Sequence, residues 1–252
     1  VAVGRDLNGD GEWTDVDQYG YTSWEAIGCE TLATGIGAIM SVNKDEKDMP
    51  YFDMDSEYYI KRLEAVTSLL NSNAGFKNPG GIAGNNGGVE AFKEGRILFY
   101  NETMGNAQKL RQMTLDFGIL PAPKYDEAQE EFMNIGGNPY FMTVPVTTPD
   151  PDRIGIIMEA LAFESVDTVQ PAFYDLMLRG KVSRDNDSQD MLDIIFNTIS
   201  YYLPIAFKQV NENVAANMWA NKTEFTSYFE ANKSIIQGEI DKVTTAFTKN
   251  VG

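Results

Sequence analysis

Residues 92–129 read FKEGRILFYNETMGNAQKLRQMTLDFGILPAPKYDEAQ, and the order of signals in this stretch sets the fold class. A short helix over Val89–Glu94 is expected to stop at Gly95, because glycine adopts the left-handed conformation that ends a helix at little cost. Arg96–Tyr100 then reads as a buried strand, being apolar, β-branched and aromatic. Residues 104–113 have helical spacing. Phe117–Leu120 reads as a second strand, closed by Pro121 and Pro123. Short strands between helices predict an α/β chain.

Outward from this stretch the same alternation continues. Residues 1–20 form a polar loop rich in Gly and Asp. From Tyr21 to about Met40 apolar residues recur at roughly helical spacing, interrupted by Gly35 and Gly37. Ser56 is a candidate N-cap for a helix whose stripe is Tyr59, Leu63, Val66 and Leu70. Residues 72–88 carry six glycines and several asparagines and read as a long loop. Tyr140–Val146 is expected as a strand that ends at Pro145 and the Pro149–Pro151 turn. Helices are expected at Ile154–Val169, Pro171–Leu178 and 188–203. Two more follow Ala206 and Thr223, the last ending near Lys249. There is no internal repeat.

The 252 residues carry 20 Lys and Arg against 37 Asp and Glu, a formal charge of −17. Such a surface repels phosphate backbones, so no nucleic-acid partner is expected. It suits neutral or cationic ligands and calcium. Histidine is absent, which removes the commonest general base and zinc ligand. Cys29 is the single cysteine, so no internal disulfide forms; its apolar neighbours suggest a small buried thiol. No apolar run is long enough to span a bilayer. The chain opens on Val1 without a signal peptide, as expected of a processed or truncated polypeptide.

The sharpest local motif is Asp6–Asp17, DLNGDGEWTDVD. Calcium takes six to eight hard oxygens, which a twelve-residue loop supplies from positions 1, 3, 5, 7, 9 and 12, with Gly at position 6. Those positions are Asp6, Asn8, Asp10, the Glu12 carbonyl, Thr14 and Asp17, and Gly11 stands at the turn. Position 12 is Asp rather than Glu, a shorter arm that weakens the grip. Val1–Arg5 is too short for the entering helix of an EF-hand, so a structural calcium clip is expected, not a sensor. The plainer alternative is a metal-free turn rich in Asx residues.

Two stretches, Asp6–Gly20 and Phe92–Gln129, together resemble the family 1 extracellular solute-binding proteins of Gram-positive ABC importers, relatives of maltose-binding protein. MEALAFES at Met158–Ser165 and YDLMLRGK at Tyr174–Lys181 continue the likeness in the same order, over nearly the whole chain. The resemblance implies a type II periplasmic-binding-protein-like (flytrap) fold, truncated to the second lobe plus part of the first. By that comparison residues 1–117 and 183–252 belong to the second lobe. Residues 118–182 return to the first lobe and the hinge. The implied role is capture of an extracellular carbohydrate, an oligosaccharide above all, for delivery to the transmembrane permease subunits. The intact protein would be a lipid-anchored extracellular protein. Strand 140–146 would lack its sheet partners, so either self-association there or an altered conformation is expected.

Sugars present apolar faces to aromatic rings and hydroxyls to Asp, Asn, Glu and Arg. The resemblance places Tyr21 and Trp24 at the cleft, although core packing is as good an account of each. Tyr100, Asn101 and Glu102 end the Arg96 strand, where family contacts occur. Tyr140, in the turn from Gly136, and Trp219 complete the candidate set. Some carboxylate pair among 37 will always stand at glycosidase spacing, and nothing marks one. The glycines at 80–88 lack the Lys-Ser/Thr of a phosphate loop. No enzyme is expected. The alternatives are a calcium-dependent interaction module, for which dockerin-type modules would need two such loops, and a glycan hydrolase.

Overall fold

The computed structural model describes residues 4–14, 16–23, 25–38, 42–52, 57–70, 72, 86–136, 142–175, 185–200 and 225–249. The molecule is mixed α/β. Its organising unit is a parallel pair of strands, β1 (Tyr19–Ser23) and β4 (Ile97–Asn101), in register from Tyr19 opposite Ile97 to Ser23 opposite Asn101. Parallel strands need a long crossover. Here it holds α1 (Glu25–Gly35), the hairpin of β2 (Val42–Lys44) and β3 (Pro50–Phe52), α2 (Glu57–Leu70) and α3 (Asn86–Lys93).

Side chains alternate across a strand, so this small sheet has a core on each face. On one face Tyr21 packs with Cys29, Leu32 and Ile36 of α1, and with Leu63, Val66 and Leu70 of α2. The long C-terminal helix α7 (Phe225–Lys249) closes this core with Phe229, Ile236 and Ile240. The stripe predicted for α2 is therefore its buried face. On the other face Val89, Leu110 and Met113 pack with Phe92, Tyr100 and Phe117. Leu110 ends the 3₁₀ helix Met104–Leu110, tighter than the helix expected over 104–113.

Two helix ends are legible in glycine. After α1, Gly37 takes φ +73°, its N–H bonds to Thr34 O at 2.9 Å and Ala38 N–H bonds to Ala33 O at 2.8 Å. After α3, Gly95 takes φ +75°, with Gly95 N–H on Phe92 O and Arg96 N–H on Ala91 O. Both are Schellman endings, satisfying carbonyls that the helix leaves open.

Several expectations need correction. Tyr21 lies in β1, not at the start of a helix, because residues 19–23 are drawn into pairing with β4. The β4 strand is buried only at Ile97; Leu98 and Phe99 are exposed. Phe117–Leu120 is not a strand. Within it Ile119 N–H donates to Ser188 Oγ at 3.0 Å, and just beyond it Ala122 N–H donates to Asn134 Oδ1 at 2.9 Å. Residues 142–146 form no strand either, and residues 140 and 141 of the expected strand lie outside the described residues. The Ser56 cap, residues 73–85 of the glycine-rich loop and the helix after Ala206 lie outside the described residues.

The segment 118–136 runs as an irregular strap. At Gly35 an added Cβ would stand 2.7 Å from Ala122 Cβ and 2.8 Å from Pro123 O, so only glycine allows this approach. Gln129 Nε2 donates to Gly35 O at 2.8 Å, and Arg62 Nε donates to Ile36 O at 2.9 Å. The Arg62 guanidinium lies over the rings of Tyr58 and Tyr125, at 3.6 and 4.4 Å from their centroids. The strap ends in β5 (Asn134–Ile135), parallel to β6 (Ile199–Ser200). Beyond it α4 (Pro151–Asp167), capped by Asp150 accepting from Arg153 N–H, and the single turn α5 (Val169–Pro171) bury no residue. Helix α6 (Asn186–Asn197) returns to the body, capped by Asp185 and buried at Ser188, Leu192 and Ile195.

Candidate functional site

The two ends of the β1–β4 pair differ in chemistry. Its amino end carries the Asp6–Asp17 loop. Arg5 and Gln18 close the base of that loop as a two-bond bridge, at 2.9 and 3.0 Å. Inside it the carboxylates accept backbone N–H groups. Asp6 takes Gly9 at 2.6 Å and Gly11 at 2.8 Å; Asp10 takes Glu12 at 2.7 Å. Asp17, fully buried, takes Leu7 N–H at 2.9 Å and Thr14 N–H at 2.8 Å. These bonds hold its carboxyl below the usual carboxylate value: Thr14 contributes most, then Leu7, and Arg96 adds a smaller attraction against the opposing effect of burial. Gly9 and Gly11 both take positive φ, as the tight path requires.

The donor set fits a hard cation in kind. A carboxylate has about four acceptor sites, so the oxygens of Asp6, Asp10 and Asp17 keep capacity beyond their N–H partners. Asn8 is the misfit, because its Nδ2 donates to Asp10 Oδ2 at 2.7 Å, a contact that a bound cation would replace. Among the described residues no three His, Cys, Asp or Glu side chains converge on one point. Calcium also takes amide, hydroxyl and carbonyl oxygens, here those of Asn8, Thr14 and Glu12.

The carboxyl end of the pair gathers Ser23, Asn101 and Glu102. Ligands of open α/β sheets bind beyond the carboxyl ends of strands, so this end is the candidate site. The expected contacts divide by face. Tyr21, opposite Phe99, points into the core of α1, α2 and α7, and burial raises its hydroxyl pKa. Tyr100, opposite Thr22, points into the other core. Its ring packs against Gly88, where an added Cβ would lie 2.8 Å from Cε2, and lies 5.7 Å from the Phe92 ring.

Tyr100 Oη donates to Glu102 Oε2 at 2.9 Å, and Thr103 N–H donates to Glu102 Oε1 at 2.7 Å. Burial, then the Glu102 charge, push the Tyr100 pKa up. Tyr21 and Tyr100 therefore serve opposite cores and cannot sandwich one sugar ring. Asn101, half-buried, shares the Tyr21 face, opposite Ser23. Trp24, Tyr140 and Trp219 lie outside the described residues. Ser23, buried at this end, was missed because only the pairing with β4 brings it beside Asn101.

Comparison with family models, with curated proteins and with solved structures finds no match. The chain belongs to the broad α/β class on its own geometry. No helix among the described residues is long and apolar enough to cross a membrane.

Proposed function

We propose that this chain is a carbohydrate-binding component of an extracellular ABC importer, and that it performs no bond chemistry. The observation that carries the reading is the ordered run of Phe92, Gly95 and Phe99 followed by Phe117–Lys124. In the fold these positions give the Schellman stop after α3, the exposed edge of β4 and the entry to the strap. On this reading they mark where the chain leaves the second lobe. The absence of any buried residue over 142–175 supports it, since a flytrap lobe completed by a returning segment leaves that segment uncovered when the rest of its lobe is not present.

On this reading residues 1–117 and 183–252 make the second lobe. Asn101, half-buried at the carboxyl end of the sheet, offers amide-type hydrogen bonds to a sugar. Tyr100 and Glu102 position the end of β4 from the opposite face. The Asp6–Asp17 loop would hold a structural calcium through Asp6, Asn8, Asp10, the Glu12 carbonyl and Asp17. When bound, the ion supplies charge neutralisation and cross-links the turn. The chain's own residues fix the base of the loop through Arg5, Gln18 and the buried Asp17. The permease subunits are the partner, and the intact protein is lipid-anchored outside the cell. Thermal melts of the chain across a panel of oligosaccharides test this reading. A rise with one class of glycan supports it, and no rise with any member contradicts it.

A further inference from the structure

The chain carries two Asn-Gly pairs, Asn8–Gly9 and Asn86–Gly87. In such a pair the glycine nitrogen can attack the asparagine side chain, because closure makes a five-membered ring and no β-carbon of the second residue stands in the way. Asn86–Gly87 opens α3, where the backbone is committed to the helix. Asn8–Gly9 stands in an open turn instead. Asn8, Gly9 and Asp10 are all exposed to water, and Gly9, at φ +75°, has nothing within 4 Å of the place a Cβ would take.

The neighbours of this pair supply what the attack needs. Gly9 N–H, on the attacking nitrogen, donates to Asp6 Oδ1 at 2.6 Å, and Gly11 N–H at 2.8 Å on Oδ2 holds that carboxylate in place. Asn8 Oδ1, where negative charge gathers during attack, accepts Asp10 N–H at 3.1 Å. Asn8 Nδ2, the group that must leave, donates to Asp10 Oδ2 at 2.7 Å. A positioned proton acceptor and a donor aimed at the developing oxyanion both lower the barrier to acyl transfer. Attack within one covalent ring needs no encounter of separate molecules.

We propose that Asn8–Gly9 is a self-modifying site, which deamidates by way of a cyclic imide under the direction of Asp6 and Asp10. The Gly9 nitrogen bonds to Asn8 Cγ as its proton passes to Asp6. The Cγ–Nδ2 bond then breaks, and Nδ2 leaves as ammonia with that proton. Water opens the imide. Addition at Cγ leaves an aspartate in place of Asn8, and addition at the backbone carbonyl leaves a β-linked aspartate with an extra atom in the main chain. Either product exchanges an amide donor for a carboxylate, so the bond to Asp10 Oδ2 is lost, like charges face each other and the turn loosens.

The test incubates the whole chain in EGTA at mildly alkaline pH, beside a synthetic peptide of residues 4–20 that has the sequence without the fold. Tryptic digestion releases Asp6–Lys44, whose mass and fragmentation follow the amide-to-acid change at Asn8. The chain is expected to convert Asn8 faster than the peptide by about tenfold or more. Asp6→Asn is expected to bring the rate down to that of the peptide. Asn8→Asp, and the chain aged to full conversion, are both expected to melt below the fresh chain.

Conversion in the chain no faster than in the peptide, or an Asp6→Asn rate equal to that of the unaltered chain, overturns the proposal. So does a melting temperature unmoved in both Asn8→Asp and the aged chain. EGTA keeps cations from the loop and no sugar is present, so the outcome is independent of the calcium and glycan readings.

Discussion

At Asp17 burial and charge pull in opposite directions, and hydrogen bonding decides between them. A buried carboxylate without partners is driven to protonate. Here Leu7 and Thr14 N–H groups meet its two oxygens, and the ionised form is the one the loop is built around. Its folded pKa lies below the ordinary 3.8. The stabilisation from Asp17 is therefore present above that ordinary value and is lost as pH falls through the lower folded value. Asp17→Asn should lower the melting temperature at neutral pH and flatten the acid limb of a melt-against-pH series; an unchanged acid limb would place the sensitivity elsewhere.

Gly35 poses a similar contest. Gly→Ala in a helix ordinarily gains about 0.5–1 kcal/mol, but an added Cβ here meets Ala122 Cβ at 2.7 Å and the Pro123 carbonyl at 2.8 Å. Overpacking costs about 1–3 kcal/mol, so Gly35→Ala should destabilise the chain in urea titration.

At the scale of elements, the buried faces and the exposed helix separate cleanly. Leu63 and Ile240 are fully buried between α2 and α7, so truncating either to Ala should cost about 2–5 kcal/mol. Phe163→Ala in α4 should cost less than about 0.5 kcal/mol in the same denaturation experiment, because its ring is already in water. How legible each element was depends on where its partners are. The stops at Gly37 and Gly95 and the α2 stripe are local, set by residues within one turn, and the sequence carries them openly. β1 does not announce itself, because apolar spacing from α1 runs back through Tyr21 and only the distant β4 draws those residues into a strand. The FGIL run reads as a strand by composition, yet its Ile119 N–H is taken by the Ser188 side chain, and the following Ala122 N–H by Asn134, partners that no local pattern reveals.

Taken whole, the molecule is a compact α/β body with two cores on one small sheet, crossed by a strap and carrying an uncovered apolar arm. The strap joins the end of α1 to β6 and α6 through Gln129, Asn134 and Ile119, the last bonded to Ser188, which ties the arm to the body at defined points. Of the candidate site, the sequence exposed the residues at the end of β4, since polar residues ending an apolar strand are visible locally. It did not expose that Tyr21 and Tyr100 face opposite cores, because strand parity has meaning only once the pairing is known.

If the Asp6–Asp17 loop holds calcium, chelation with EGTA should lower the melting temperature of the chain and leave that of an Asp6→Asn, Asp10→Asn variant unmoved. The most direct test of the central reading is recovery of the ligand. The chain is incubated with the glycan that raises its melting temperature most, and the bound sugar is released and chromatographed. Recovery of the glycan intact and in stoichiometric amount is the expected result, and appearance of shorter products would contradict a protein that binds without chemistry.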